Sequence, residues 1–210
     1  MFSVRKPDAA AIRGLIERQH ARGLSYDCVG VTRVWHEESA QAFVEFDRDH
    51  CRVELGRGAA SFAAACRAID QWRMFDIEWL ELCWPNVAVD VGAVVGVLAR
   101  PYGLWCLNAC RVAYVIDERS TDRAAPQRYG FAYGTLPKHI EQGEERFVVE
   151  WRDDGSVWYD LLAVSRPGHW LSAAAYPVVR RWQAAFRRDS CAAMLRAVSQ
   201  TLTADGENRT

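Results

Sequence analysis

The stretch RYGFAYGTLPKHIEQGEERF, residues 128–147, decides how the rest of the chain is read. Phe131 and Tyr133 alternate with small residues as they would along a strand, Gly134 to Pro137 interrupts the run, and alternation resumes at Glu144. The reading is a strand, a polar elbow and a second strand. Such an elbow gathers His139, Glu141, Glu144 and Glu145 at one end of a sheet. Aromatic, glycine, histidine and carboxylate side chains in one connection are more chemistry than a plain turn requires.

Downstream, Phe147, Val149 and Trp151 share one strand face, Asp153, Asp154 and Gly155 supply a turn, and Val157, Tyr159, Leu161 and Ala163 alternate on the returning strand. A two-residue turn sets Glu145 opposite Val164, and a three-residue turn sets Glu144 there. Either register brings one glutamate toward Arg166, so a salt bridge is expected. From Tyr176 to Leu202 the period becomes helical, with Val179, Trp182, Phe186, Met194 and Val198 on one stripe and Pro177 in the first turn. Residues 203–210 read as a mobile polar tail, which leaves residues 1–202 as the domain.

Upstream, Asp8 can cap a short helix carrying Ile12, Leu15 and Ile16. Residues 26–35 alternate like a strand, 36–39 read as a turn and 42–46 resume the strand, with His36 and His50 as solvated turn residues. Gly56 and Gly58 bend a strand end into a helix whose Phe62, Cys66, Ile69 and Trp72 share a face. That pair lacks both the third glycine of a dinucleotide fingerprint and the Lys-Ser/Thr of a phosphate loop, so it reads as turn chemistry. Residues 91–98 and 104–117 read as further strands, and 120–127 as a surface loop. The chain is α+β: a curved antiparallel sheet wrapped around the long C-terminal helix, the helix-grip arrangement.

At 210 residues, half of them hydrophobic, the chain suits one domain with a substantial core. A formal charge of −1 gives no global attraction to nucleic acid or anionic membrane. The longest apolar run, 87–98, is interrupted by Asp90 and far short of the ~20 residues a spanning helix needs, so no membrane insertion is expected. Arg5, Lys6 and Asp8 with no apolar run behind them argue against a secretory signal. Seven cysteines, an odd number without a CxxC pair, suit a reducing cytoplasm. Cys106 and Cys110 on one strand would stand about 13 Å apart, too far for a disulfide or a shared metal.

Several blocks together resemble the uncharacterised family called DUF1990 or UPF0548: LGRGAASF at 55–62 with the Trp72, Met74, Phe75 end, FAYGTLPKHIEQGEERF at 131–147, SVWYDLLAVSRP at 156–167 and RRWQAAF at 180–186. The resemblance covers residues 26–199. This chain departs from it in the polar loop at 120–127 and in Lys138, where a small residue is usual. The resemblance implies a START or Bet v 1-like fold, in which apolar ligands sit between sheet and long helix. It supplies no catalytic residue.

Two functions of different class follow. In a binding module, Tyr133, Trp158, Tyr159, Trp182 and Phe186 line a cavity under the helix, while Thr135, His139, Glu144, Glu145 and Arg166 orient a small apolar or amphipathic ligand at its mouth. In an enzyme without a cofactor, of cyclase, dehydratase or hydrolase type, His139 with Glu144 or Glu145 performs acid-base chemistry on such a ligand. Each aromatic taken alone reads as core, and each glutamate as half of an ion pair. His139 with Glu141 and a neighbouring glutamate lacks the i, i+4 spacing of helical zinc sites, so no metal is expected. The sequence carries no signal for an oligomeric state.

Overall fold

The computed structural model describes residues 2–34, 44–84, 86–100, 103–120, 127–168 and 175–207. His36, the 36–39 turn, residues 42–43 and residues 208–210 lie outside them. Among the described residues, one curled antiparallel sheet holds β2 (Asp47–Arg57), β3 (Leu80–Cys83), β4 (Val94–Ala99), β5 (Trp105–Asp117), β6 (Gln127–Thr135), β7 (Glu141–Trp151) and β8 (Ser156–Pro167). Their order across the sheet is β2-β8-β7-β6-β5-β4-β3, and the two-residue β1 (Phe2–Ser3) pairs with β5. The helices are α1 (Ala9–His20), α2 (Gly58–Asp70) and the long C-terminal α3 (Tyr176–Glu207).

Alternation along the strands sorts the sheet into two faces. Phe131 and Tyr133 of β6, Phe147 and Val149 of β7, and Val157, Tyr159 and Leu161 of β8 enter one core with Phe62, Ile69 and Trp72 of the α2 segment and Met194 and Val198 of α3. Aromatic rings knit its centre, with Trp72 4.5 Å and Phe147 5.3 Å from the Phe131 ring. On the opposite face α1 lays Ile12 and Ile16 over Val94, Leu98, Leu107 and Leu136. Asp8 caps α1 by accepting the Ala11 amide at 2.8 Å. Arg111 closes the other end by donating to the carbonyls of Gln19, His20 and Arg22. Gly58, at φ +79°, turns β2 into α2, and its amide donates to Gly155 O at 2.8 Å.

Four expectations change. Residues 44–46 are turn and bend rather than a resumed strand, and β2 begins only at Asp47, where its pairing with β8 starts. Residues 26–34 are not a strand but irregular turns laid on the outer face of the sheet, because Glu144 takes their backbone amides in place of a partner strand. His50 lies within β2 rather than in a turn, its Nε2 2.9 Å from Asp160 Oδ2. The last helix continues to Glu207, beyond the boundary expected at residue 202. The β7–β8 hairpin takes the three-residue register, with Glu144 opposite Val164 and Glu145 opposite Ala163. The seven cysteines are free thiols. Among the described residues no helix is long and apolar enough to cross a membrane.

Candidate functional site

The elbow after β6 is a tight turn in which the His139 amide donates to Leu136 O at 3.1 Å across Pro137 and Lys138. Lys138 adopts φ +72°, the left-handed value that the third position of a type II turn demands. Beyond it the Glu141 amide donates to His139 Nδ1 at 2.9 Å, which leaves the proton of the neutral ring on Nε2. The Gly168 amide ties the elbow to the end of β8 by donating to Ile140 O at 2.9 Å.

Between this elbow, the inner face of the sheet and the first turns of α3 lies a cavity of about 170 Å³. Phe75, Trp79, Val97, Val179, Trp182 and Phe186 supply apolar wall, and Asp49, Tyr133, Thr135, His139, Glu141, Glu145 and Arg187 supply the polar lining. Parity explains the β7 contribution, since counting back by twos from Phe147 puts Glu145, Gly143 and Glu141 on the inner face.

The ionisable groups here are far from their ordinary states. Burial drives the His139 ring down to about 3, so it is neutral at physiological pH. It lines a cavity yet is surrounded by protein, which accounts for its partial accessibility alongside this strong desolvation. Burial pushes Glu145 up to about 7 against the Tyr133 hydroxyl, which donates to its Oε2 at 2.8 Å. Glu141 is also pushed to about 7, by burial and then by Asp47. Its side chain is 8% exposed, and its Oε1 is buried with no hydrogen-bond partner. Asp49 differs: Arg180 donates to both its oxygens, and Arg187 pairs with Oδ1.

Glu144 also borders the cavity, but its carboxylate is turned to the opposite face. Its Oε2 accepts from the Tyr26 hydroxyl at 2.9 Å and the Gly30 amide at 2.8 Å, and its Oε1 accepts from the Thr32 amide at 3.0 Å and the Thr32 hydroxyl at 2.5 Å. It fastens the irregular segment 26–32 to the outer face.

Of the residues singled out in the sequence, Tyr133, Thr135, His139, Glu141, Glu144, Glu145, Trp182 and Phe186 border the cavity. Tyr159 points inward but is fully packed, its hydroxyl 2.9 Å from Ser190 Oγ. Trp158 and Arg166 share the opposite parity and stand on the outer face. Trp158 lies between the guanidiniums of Arg52 and Arg152, 5.6 and 5.3 Å from its ring. Arg166 pairs with Glu45 over the Phe46 ring, so the bridge expected to Glu144 or Glu145 does not form. Among the described residues, no three His, Cys, Asp or Glu side chains converge as a metal site. Asp49, Asn108 and Arg187 were missed as lining residues. Pairing of Asp49 with Ala163, and of β2 with β8, carries no signal in the sequence.

With this geometry in view, comparison with known proteins places the chain. The family model described as "Domain of unknown function (DUF1990)" matches residues 25–193. A UPF0548 protein of Dictyostelium discoideum is 36% identical over 209 residues, covering 94% of this chain and 96% of its own. One from Deinococcus radiodurans is 33% identical over 190 residues, covering 85% and 89%. Among solved structures, human STARD10 aligns with 97% of this chain and 84% of its own at 14% identity and a TM-score of 0.45. Truncated norcoclaurine synthase from Thalictrum flavum aligns with 73% and 93% at 12% identity and a TM-score of 0.42. At such scores neither ligand nor reaction passes from those structures to this chain. The family match and the full-length identities agree, and the chain belongs to the DUF1990 family of UPF0548 proteins.

Proposed function

We propose that the protein binds a small apolar or amphipathic molecule in the cavity between the inner sheet face and α3, at the β6–β7 elbow. The observation that carries this reading is an apolar-walled space of about 170 Å³ between the sheet and α3, beside a cluster of interlocked aromatic rings. Protein interiors pack like organic crystals and leave few voids of that size. A void near 150 Å³ holds one benzene ring, so the space suits a single-ring or short-chain molecule rather than a long-chain lipid.

A thermal-shift screen of single-ring and short-chain molecules of mixed charge tests it. The expected result is a saturable rise in melting temperature that disappears in Ala163→Leu, which fills the cavity from β8, and survives Trp158→Ala and Arg166→Ala on the outer face. A screen without a saturable binder, or a binder indifferent to Ala163→Leu, refutes it.

One observation favours turnover as a second reading: Glu145, poised at about 7, lies 2.8 Å from the Tyr133 hydroxyl inside the cavity. Such a carboxyl can both give and take a proton near neutrality. Glu144 leaves this reading because four donors hold it outside. His139 is too weakly basic to serve as the base. Mass spectrometry of bound ligands after incubation decides: a converted product, abolished by Glu145→Gln, replaces binding with catalysis.

A further inference from the structure

We infer that the cavity is built for a cation, a small apolar-bodied primary amine whose ammonium group sits between Glu141 and Glu145, and that it refuses carboxylic acids of the same shape. This rests on the reading of the cavity as a ligand site and adds the chemistry of the ligand.

Most polar groups around the cavity are already satisfied by the protein. Both oxygens of Asp49 are taken by Arg180, and Arg187 joins at Oδ1. The Tyr133 hydroxyl spends its proton on Glu145 Oε2. Gln183 accepts from Arg180 and donates to Ser165. Asn108 accepts from the Ile140 amide and donates to Cys106 Sγ, and Thr135 is shared by Ser25 and the Gly143 amide. On the acceptor side what stays open is the Glu141 carboxyl, whose buried Oε1 has no partner, and the oxygen of Glu145 that Tyr133 does not use; on the donor side Arg187 Nη1 lacks a hydrogen bond but is held in its ion pair with Asp49, which leaves only the uncharged His139 Nε2–H.

Charge points the same way. Facing these two glutamates are Asp47 and Asp49 from β2, Arg180 and Arg187 from α3, Tyr133 from β6 and the neutral His139 of the elbow. The two guanidiniums are bonded to the aspartates and stabilise Glu141 and Glu145 only at longer range, more weakly than burial opposes their charge. A bound carboxylate would add a further acid to four carboxyl groups that face only two guanidiniums. A bound ammonium fills the open acceptors and neutralises the carboxylates, while Phe75, Trp79, Trp182 and Phe186 cover the apolar body and offer ring faces to the cation.

The arrangement couples binding to a proton. Glu141 and Glu145, desolvated and held near 7, are partly protonated in the empty cavity at neutral pH. Arrival of R–NH₃⁺ favours the carboxylate, and the displaced proton passes to the buffer. Amine affinity therefore rises by about tenfold between pH 6 and pH 8 for each proton displaced, until the amine itself deprotonates.

The experiment uses the full chain with phenethylamine, 3-phenylpropionate and 2-phenylethanol, titrated by calorimetry at pH 6, 7 and 8. Expected are amine binding at least tenfold tighter than the alcohol at pH 8, no measurable binding of the acid, and a pH slope for the amine alone. Glu141→Gln should cut the slope to that of the one remaining carboxyl, Glu145, and weaken the preference for amine at pH 8 at least tenfold. An acid that binds as tightly as the amine, a pH-independent amine, or a Glu141→Gln protein with full preference overturns the ammonium site and leaves the cavity reading standing. If none of the three probes binds, the ammonium site is overturned, and the thermal-shift screen decides the cavity reading separately. The probe series and pH series are read on the unaltered protein, so they hold whether or not the variant folds.

Discussion

Glu144 and Glu145 occupy the two faces of one strand, and the protein treats them in opposite ways. Glu144 receives four donors from the segment 26–32 and is 2% exposed. Glu145 receives one, from Tyr133, and faces a cavity shared with Glu141, whose buried Oε1 has none. Burial is common to both sides, so burial alone does not mark a functional carboxylate. The count of donors does. A saturated carboxylate is an anchor, whereas an unsaturated one in an open space leaves bonding capacity for something else.

The sharpest way to break this contrast is to remove each carboxylate in turn. Glu144→Leu strands two amides and two hydroxyls, and should lower stability by about 3 to 4 kcal/mol. Glu145→Gln at pH 5.5, where Glu145 is protonated, should change it by less than about 1 kcal/mol, because the amide oxygen can still accept from Tyr133. Urea midpoints measure both. Equal losses would show that the two faces are equally structural.

The second test uses pH. Glu141 and Glu145 titrate near 4.5 in the unfolded chain and at about 7 in the folded one. Between those values the folded state binds more protons, so their contribution to stability is fully present below about 4.5 and is lost as pH rises through about 7. The Glu141→Gln, Glu145→Gln double variant lacks that loss. Its unfolding free energy, from urea titration, should therefore gain on the wild type from pH 5 to pH 8, by about 3 kcal/mol in total once water in the cavity is allowed for. A constant difference would mean that the inner carboxylates are solvated like ordinary surface groups.

Much of this was legible in the sequence, and the omissions have a common cause. Strict alternation at Phe131 and Tyr133, and from Phe147 to Ala163, identified β6, β7 and β8, and the 3.6-residue stripe identified α3. Period two also decides faces: Tyr159 and Trp158 cannot both point inward, nor can Glu144 and Glu145. Applying parity from Phe147 selects Glu145 and Glu141 and rejects Trp158 and Arg166. The alternation at residues 26–34 misled because segments held by a side chain show the same small and β-branched residues as strands. Asp49 required the β2–β8 pairing, a contact across more than a hundred residues that no local pattern encodes.

A smaller effect probes how tightly the outer segment is clamped. Gly134 lies on the outer face of β6, where an added Cβ would stand 2.2 Å from the Tyr26 hydroxyl oxygen. Gly134→Ala must displace Tyr26 from Glu144, at a cost of about 2 kcal/mol. Tyr26→Phe in the same background should recover part of that loss, since it removes the clashing oxygen. No recovery would place the strain in the strand rather than in the clamp.

The smallest effect concerns the elbow that joins the two faces. Lys138 holds φ +72° in a turn closed by the 3.1 Å bond from the His139 amide to Leu136 O. A side chain with a Cβ is strained there, and glycine is not. Glycine also gives the unfolded chain more freedom, which offsets roughly half of the relief. Lys138→Gly should therefore raise stability by about 0.5 kcal/mol, a shift of one or two degrees in melting temperature for a chain of this size. Lys138 is exposed and outside the cavity lining, so probe affinity should not change. A loss of affinity together with the gain in stability would show that the elbow's conformation, and with it the placement of His139 and Glu141, depends on the lysine rather than on the Pro137 turn and the Gly168 to Ile140 hydrogen bond.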